Sequence, residues 1–370
     1  MILSPKDKIT TPQAAVIVIN FILGTGLLTL PRSSTEKVQT PDVWISVILG
    51  GLITITAGLI MVKLGQQFPE KTFYQYINEI VGKWLGGVIS LVVICYFLTT
   101  SSFQLRAMAE VVRYLLLEGT PTWAIIMIFM WVSLYLVIGG INPIARLFEI
   151  ILPLTVILFL VVTFMSFTIF EIDNLRPVLG EGIVPVLKGV KTTALAFSGP
   201  EIMLLIIPFM NQPKKAVKAL LVGVSIPLIF YVITVVMVIG ALSVDGVIMR
   251  TWPTLDLIRS FEIAGLIFER FESLLLVVWI MQIFATFTIT FFAAALGLAQ
   301  ITKKSIHPFM FGLLPILYIL AMLPKNINDL FKQGDFVGNV ALFLFGLLPM
   351  LLLFISRVKG VKGGKYETIT

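Results

Sequence analysis

The chain has 370 residues, of which 58% are hydrophobic and 13% are charged, and its mean hydropathy is +1.01. A soluble core would not bury that much apolar surface. The apolar runs approach the roughly 20 residues that cross a bilayer of about 30 Å as a helix. Backbone groups in lipid must pair within the protein, and these runs are longer than barrel strands. The composition therefore predicts a polytopic α-helical membrane protein and excludes a soluble domain.

The distribution of charge predicts the orientation of the chain. The formal net charge is +7, and more than half of the 27 Lys and Arg residues fall in the N-terminus, alternate loops and the C-terminal tail. The positive-inside rule therefore predicts that both termini are cytoplasmic. The same residues are expected to contact anionic lipid, and their spread over short loops does not form a nucleic-acid-binding patch.

Ten apolar segments follow one another along the chain, separated mostly by short loops. They are Ala14–Leu30, Trp44–Leu64, Trp84–Leu105, Thr122–Ile138, Ile150–Phe170, Ile183–Phe209, Ala219–Leu242, Leu274–Leu298, Phe309–Leu323 and Phe336–Ile355. The ninth is short for a membrane span. The pattern predicts one transmembrane domain over residues 1–370, with helices 1–5 over about 11–170, helices 6–10 over about 183–356, and a short basic cytoplasmic tail.

Two further features concern a loop and a thiol. The long loop Ser243–Ser273 carries Leu255, Ile258 and Phe261 at helical spacing. This spacing predicts either a helix at the outer interface or a lid over the bundle. The single cysteine, Cys95, falls in the middle of a segment, so we expect an inert core thiol and no internal disulfide.

Two segments are interrupted near their middle by residues that break helices. Segment one reads "FILGTGLLTLP", with Gly24, Thr25 and Gly26 at its centre, and segment six reads "AFSGPEIM", with Ser198 and Gly199 before a proline. Glycine permits non-helical backbone, and proline removes a donor and clashes with the preceding turn. Because five segments per half reverse the direction of the second half, paired breaks predict a leucine-transporter-like inverted repeat of five plus five helices, with helices 1 and 6 broken at mid-membrane.

A broken helix at this depth has two interpretations. Glycine in membrane helices often serves close packing. Alternatively, irregular backbone lines a binding site, where freed N–H groups hold a carboxylate and freed carbonyls hold an ammonium group or a cation. The matching break in segment six favours a binding site that includes Gly24, Thr25, Gly26, Ser198 and Gly199.

Segments three and eight, which flank the broken pair in such a fold, carry polar side chains. Tyr96 and Thr100 lie four residues apart, hence on one face, and so do Thr286 and Thr290. Their hydroxyls can bind a ligand without adding charge. The alternative is that each threonine bonds back to a carbonyl of its own helix. Both interpretations stay open at this point.

Charged residues within membrane segments indicate function by default. Glu201 follows the break in segment six, where it would either cap the new half-helix or take part in ligand or proton coupling. Arg106 and Glu110 lie four residues apart and are expected to form a structural ion pair. No P-loop, HExxH motif, nucleophile elbow or cluster of metal ligands occurs, so we expect neither an enzyme nor a metal site.

Several stretches resemble one known family. "ILGTGLLTLP" and "AFSGPEIM" are similar to the broken-helix motifs of the amino acid–polyamine–organocation transporter superfamily. Together with "FQLRAMAEVV", "DNLRPVLGEG", "FERFESLLLVVWI" and the short basic tail, they resemble the spore-germination permease family. The members of that family are the B subunits of nutrient germinant receptors. The resemblance runs from about Thr11 to Arg357, nearly the whole chain.

The resemblance implies a protein of the spore inner membrane that works with the A and C subunits of the same receptor. It would bind a small nutrient, often an amino acid such as L-alanine, in a transporter-like pocket. Carried over by position, the pocket would include Gly24, Tyr96, Thr100, Ser198, Thr286 and Thr290. Because three of these are polar where an L-alanine-responsive relative would be more apolar, another amino acid or a co-germinant requirement is also compatible.

Three functions are compatible with these residues. The first is a receptor subunit that signals without net transport, and the second is an amino-acid symporter with the same pocket. The third is a scaffold with a vestigial pocket. Segment five, Ile151–Phe170, has no lysine of the kind that some proton-coupled relatives place there. We expect no cofactor, although a monovalent cation at Thr286 or at first-helix carbonyls remains compatible with the sequence.

Overall fold

The computed structural model describes residues 7–117, 119–260 and 271–360 of the chain. The side chains of Thr25, Tyr114 and Leu115 and those of residues 271–275 lie outside the description. Two sequence predictions are affected: the side chain of Thr25 and the position of Phe261 both fall outside the described residues.

The described chain is almost entirely helical. Its helices are α1 (Thr11–Val38), α2 (Val43–Gly65), α3 (Phe73–Val81), α4 (Lys83–Leu115), α5 (Thr122–Ile138), α6 (Ile141–Ser166), α7 (Val184–Ala196), α8 (Met203–Ile206), α9 (Ala216–Met249), α10 (Pro253–Arg259), α11 (Phe271–Thr302), α12 (His307–Met322), α13 (Ile327–Ala341) and α14 (Leu348–Val358). Short 3-10 turns flank α8, and a π-helical stretch, Leu342–Leu347, joins α13 to α14.

Each of the ten predicted segments overlaps one helix or a pair of successive helices, whereas α3 and α10 lie between segments. Within the described residues, six helices are long and apolar enough to cross a bilayer, and two further spans are bent pairs. The bent pairs are Thr11–Gly24 with Gly26–Val38, at 52°, and Val184–Ala196 with Pro200–Phe209, at 42°. The two shorter apolar helices, α5 and α12, have 17 and 16 residues. The all-α membrane fold and the breaks in helices 1 and 6 are confirmed.

The packing of the helices follows an inverted repeat. α1 packs against α9, and the broken sixth span packs in the same way against α2. α4 contacts α12 and α13, and its counterpart α11 contacts α5 and α6. The equivalent helices α4 and α11 also pack against each other, as do α2 and α9. These contacts of the first half therefore have counterparts in the second half.

Some elements differ from the sequence predictions. α3 was predicted as a loop, yet it is an amphipathic helix that buries Phe73, Tyr76 and Ile80 on one face. Cys95 was predicted to be buried in the core, but its side chain is exposed on the outside of the bundle. That prediction was wrong, because an apolar span shows no contrast between its lipid face and its core face.

The loop after α9 contains the predicted helix. α9 continues to Met249 across a kink at Ser243, where φ is +60°, and α10 follows. Leu255 and Ile258 of α10 are buried, and the helix packs against α1, α9 and α11. It therefore covers one end of the bundle. We call this end, to which α1, α4 and α9 run, the outer end, and the end that holds Thr11 the inner end.

Candidate functional site

The candidate site begins at the two backbone breaks. Gly24 has φ −45° and ψ −109°, which is not helical, and Gly199 has φ +153°, a conformation that favours glycine. A Cβ atom on Gly199 would lie 2.6 Å from Cγ1 and 3.2 Å from the backbone N of Ile22. Only a residue without a side chain therefore allows the break in the sixth span to touch the first helix.

Tyr231 of α9 ties the two breaks together. Its buried hydroxyl lies within hydrogen-bond distance of the carbonyls of Ile22 and Ala196, one from each broken span. A Cβ atom on Gly26 would collide with this hydroxyl. The glycine at position 26 is thus explained by close packing against Tyr231, the first of the two interpretations of the sequence.

Helix α11 covers the carbonyls that the break in α1 leaves free. Oγ1 of Thr286 lies 3.2 Å from the carbonyl oxygen of Asn20 and 3.1 Å from that of Phe21. The indole Nε1 of Trp279 donates to the carbonyl of Gly24 at 3.1 Å. Side chains of α11 therefore supply hydrogen bonds to the buried backbone at the break.

Glu201 organises the second break. Its Oε1 accepts hydrogen bonds from the hydroxyls of Tyr96, at 2.7 Å, and Ser198, at 2.8 Å. Its Oε2 accepts from the backbone N–H of Gly199 at 2.6 Å, and the residue is 3% exposed. The carboxylate lies at the N-terminus of the half-helix that follows the break, where the helix dipole favours negative charge. It joins α4 to the break and caps freed backbone.

The two remaining predicted threonines bond to their own helices. Thr100 donates to the carbonyl of Tyr96 at 2.9 Å. Oγ1 of Thr290 lies 2.8 Å from the carbonyl of Thr286 and 2.7 Å from the hydroxyl of Ser101 on α4. The bonds to the carbonyls of Tyr96 and Thr286 are the back-bonds named above as the alternative to ligand binding, whereas the contact with Ser101 joins α11 to α4.

The predicted residues fall into two groups. Gly24, Gly26, Tyr96, Ser198, Gly199, Thr286 and Glu201 surround the breaks, with Thr100 and Thr290 on the adjoining turns of α4 and α11. Arg106 and Glu110 form the expected ion pair at 2.8 Å, with side chains 7% and 13% exposed. Ten residues separate Arg106 from Tyr96, roughly 15 Å along a helix. The pair therefore lies outside the candidate site.

Sequence reasoning missed Tyr231 and Trp279. Both present a polar atom at the end of a large apolar ring within a membrane segment, and such atoms find a partner when buried. The sequence therefore indicates that both polar atoms have hydrogen-bond partners. It does not identify those partners, because they are carbonyl groups of other helices and local sequence patterns do not report contacts between helices.

The cavities described here lie to one side of the breaks. A small one, of about 40 Å³, is lined by Leu27, Trp279, Gln282 and Thr155, next to the break in α1. A larger one, of about 640 Å³, lies at the outer end between α4 and α10. None of the predicted site residues other than Glu110 lines either of them.

Solved structures that resemble this fold are transporters. The crystal structure of MhsT in complex with L-phenylalanine superposes with a TM-score of 0.72 at 14% identity, covering 95% of this chain and 89% of that one. Mhp1, a nucleobase-cation-symport-1 family transporter with bromovinylhydantoin bound, gives a TM-score of 0.70 at 14% identity, covering 98% and 83%. The chain therefore has a transporter-like fold, and at 14% identity the likeness extends to the fold alone.

Sequence comparison defines the family. The family model described as spore germination protein matches residues 8–330. Spore germination protein YndE of Bacillus subtilis (strain 168) is 60% identical over 354 residues, 96% of this chain and 98% of the relative. Spore germination protein A2 of the same strain is 40% identical over 95% of this chain and 96% of the relative. The chain belongs to the spore-germination permease family, as the sequence motifs predicted.

Proposed function

We propose that the chain is the B subunit of a nutrient germinant receptor. It binds a small nutrient, an amino acid such as L-alanine, at the two breaks, and it signals to A and C subunits to trigger spore germination. The observation that carries the proposal is the meeting of two broken spans at Tyr231 and at the contact of Gly199 with Ile22, in a chain whose relatives are spore germination proteins. The protein would lie in the spore inner membrane with both termini in the cytoplasm.

The chemistry of the site favours a ligand with an ammonium group. Glu201 is buried, and within the described ranges no Lys or Arg forms an ion pair with it. An ionised carboxylate is costly to bury without a positive partner. The ammonium group of an amino acid would supply that charge, and freed N–H groups at the breaks would receive its carboxylate.

To trigger a signal, a bound ligand must contact the parts of the protein that move between its two conformations. A ligand shifts a conformational equilibrium only by the difference in its affinity for the two states. A ligand at the breaks would contact both half-helices directly and would compete with Tyr231 and Thr286 for the same carbonyls. The change in the half-helices would then reach the partner subunits, without any need for net transport.

The proposal includes no cofactor. The carbonyls of Asn20 and Phe21, together with the hydroxyl of Thr286, are the oxygen ligands that a monovalent cation would use. Exchange of sodium for choline in the binding assay therefore decides whether a cation takes part. Unchanged ligand affinity is the expected result.

The test records binding and uptake in one preparation. Purified protein in liposomes is incubated with each radiolabelled amino acid, with and without sodium and proton gradients. Saturable binding without accumulation is expected for a receptor. Accumulation driven by a gradient would instead establish the second candidate, an amino-acid symporter, which the likeness to MhsT favours.

Two variants assign the binding to the breaks. Gly24→Trp should abolish binding, because a Cβ atom there already collides with Thr286. Gly312→Trp is the matched control, because no atom lies within 4 Å of its Cβ position. Thr286→Ala should weaken binding about tenfold, the effect of one hydrogen bond of roughly 1–1.5 kcal/mol. Normal binding by Gly24→Trp would refute the assignment and would support a scaffold with a vestigial pocket.

A further inference from the structure

Gln104 is a buried polar residue of α4 that lies next to the break in α1. It follows Tyr96 by eight residues and Thr100 by four, so the three residues share one face of the helix. Gln104 is 5% exposed. Its amide Nε2 lies 3.5 Å from the position that a Cβ atom on Gly24 would take. The face of α4 that contacts the second break through Tyr96 therefore reaches the first break through Gln104.

The carbonyl oxygen of this carboxamide has no hydrogen-bond partner within the described ranges. Oε1 of Gln104 is buried and unpaired, as are Oδ1 of Asn20 and Oε1 of Gln282. The last two carboxamides are nevertheless anchored through their nitrogens. Nδ2 of Asn20 donates to the carbonyl of Phe148 at 3.3 Å. Nε2 of Gln282 donates to Oγ1 of Thr155 at 2.6 Å. In the part of the chain that the structure describes, Gln104 has no such anchor.

The polar side chains already assigned to the breaks are bonded within the protein. Glu201 accepts hydrogen bonds from Tyr96 and Ser198. Thr286 contacts carbonyls of α1, and Thr100 bonds to its own helix. A buried polar group without a partner destabilises a protein, so a residue that only packed at position 104 would be better apolar. An unpaired carboxamide beside a candidate site therefore indicates a role in binding.

The chemistry of the carboxamide limits what it can bind. Its oxygen accepts hydrogen bonds, its NH2 group donates them, and neither carries a charge. Arg106 stands two residues further along α4, where side chains do not face each other, and it pairs with Glu110 at 2.8 Å. A charged group buried beside Gln104 would need a partner of opposite charge. Gln104 is therefore suited to a neutral group that donates a hydrogen bond.

We propose that Gln104 is a specificity-determining residue, which binds a neutral polar side chain of the nutrient. This inference rests on the proposed function, in which the ammonium group of an amino acid binds at Glu201. The side chain of the nutrient would then lie along the face of α4 that carries Thr100 and Gln104. The hydroxyl of threonine and the carboxamide of asparagine can donate to Oε1 of Gln104. Alanine, valine and leucine carry no such group, so the inference narrows the proposed function to polar amino acids.

The experiment measures the binding of two isosteric pairs of radiolabelled amino acids to the purified full-length protein by equilibrium dialysis. L-threonine is compared with L-valine, and L-asparagine with L-leucine. A site that hydrogen-bonds a polar group of its ligand rejects the analogue that lacks this group. The wild type is expected to bind the polar member of at least one pair about tenfold or more tightly than the apolar member.

Gln104→Met removes the carboxamide and keeps an unbranched side chain. It should weaken binding of the preferred polar amino acid about tenfold and bring the affinity ratio of that pair close to one. Its thermal midpoint should equal or exceed that of the wild type, because the unpaired buried oxygen is gone. Thr99→Val is the matched control, since Thr99 lies on the same helix and its hydroxyl donates to the carbonyl of Cys95 at 2.8 Å. It should keep the wild-type ratio.

The outcomes separate this inference from the proposed function. If the apolar member of both pairs binds the wild type as tightly as the polar member, the inference is overturned, even where Gln104→Met fails to fold. A lower thermal midpoint of Gln104→Met with an unchanged affinity ratio would mean that Oε1 pairs with water only, and it would overturn the inference as well. Both results leave an amino-acid site at the breaks standing. Wild-type binding by Gly24→Trp, or a wild type that binds no amino acid saturably, would refute the proposed function and this inference with it.

Discussion

Glu201→Gln is the most informative single change at the breaks. The carboxylate accepts three hydrogen bonds, from the hydroxyls of Tyr96 and Ser198 and from the backbone N–H of Gly199. An amide has one acceptor oxygen and an NH2 group that only donates. With its oxygen towards the two hydroxyls, its NH2 group faces the N–H of Gly199, donor against donor. That N–H is then buried without an acceptor.

The size of the effect follows from this loss. A hydrogen bond to a charged group contributes roughly 1.5–3 kcal/mol, and each 1.4 kcal/mol is about a factor of ten in an equilibrium constant. We therefore expect Glu201→Gln to lower thermal stability and to weaken nutrient binding by roughly 10- to 100-fold. A ligand ammonium group beside the carboxylate would bring the loss of binding to the upper end of this range.

The assay compares the thermal midpoint and the binding affinity of each variant in the same detergent. Glu79→Gln is the matched control, because Glu79 is 40% exposed and pairs with Lys71 at the surface. It is expected to change stability by less than about 1 kcal/mol. A Glu201→Gln protein with wild-type stability and affinity would show that the three hydrogen bonds do not organise the site.

Three further changes test separate contacts. Gly199→Ala should destabilise the protein by about 1–3 kcal/mol, because it forces a Cβ atom against Ile22 at positive φ. The control is Gly312→Ala, which lies in an open helical position and should be neutral or slightly stabilising in the same thermal assay. Tyr231→Phe should shift the balance of states by about 1 kcal/mol, which spin labels on the two broken spans would report as a changed distance distribution. Burial raises the pKa of Asp256 more than nearby arginines lower it, so its ionisation costs stability as the pH rises through that raised pKa. Asp256→Asn should therefore match the wild type in thermal midpoint below about pH 3.8 and exceed it at neutral pH.

The broad architecture could be predicted because it depends on local composition. Apolar runs of span length identify membrane helices whatever their partners, and the breaks at Gly24 and Gly199 are visible because glycine and proline act on their own backbone. The inverted repeat followed from the matching positions of the two breaks. The two shorter apolar helices, α5 and α12, lie where segments four and nine were predicted, for the same reason, but their 17 and 16 residues leave them outside the six to eight candidate spans of the described residues.

The details of the site depend on which face a side chain occupies, and an apolar span does not record this. Cys95 and Tyr96 are neighbours in the chain, yet the thiol is exposed and the phenol is buried against Glu201. The four-residue spacing of the threonine hydroxyls does not show whether each bonds to its own helix or to a neighbouring one. Thr286 crosses to another helix, whereas Thr100, with the same kind of neighbour four residues away, bonds to its own.

For helix α3, by contrast, the sequence contains a local helix-start signal that the prediction did not use. The N–H of Thr72 donates to the side chain of Gln75 at 3.0 Å, a capping arrangement that marks the start of a helix in the sequence "TFYQ". Phe73, Tyr76 and Ile80 then follow at helical spacing. With nine residues, this stretch is too short to cross a bilayer, so it was placed in the loop between two predicted segments.

The broken spans are held to the rest of the bundle at three levels. At the inner end, Ile9 exchanges backbone hydrogen bonds of 2.8 Å with Phe209 and Asn211, below the second break. At the middle, Tyr231 joins the two breaks, and at the outer end Thr254 holds Leu27. At about 1 kcal/mol for each bond, these ties together contribute about 4 kcal/mol.

Shifting a two-state conformational equilibrium from 1:99 to 99:1 requires a ligand whose affinities for the two states differ by about 5.5 kcal/mol. On the function proposed above, a nutrient that replaces the central tie and gains one charged contact at Glu201 would supply only part of that energy. Release of the inner or outer tie by a partner subunit or a second ligand would lower the remainder, and this would give a physical reason for a receptor that responds to more than one signal.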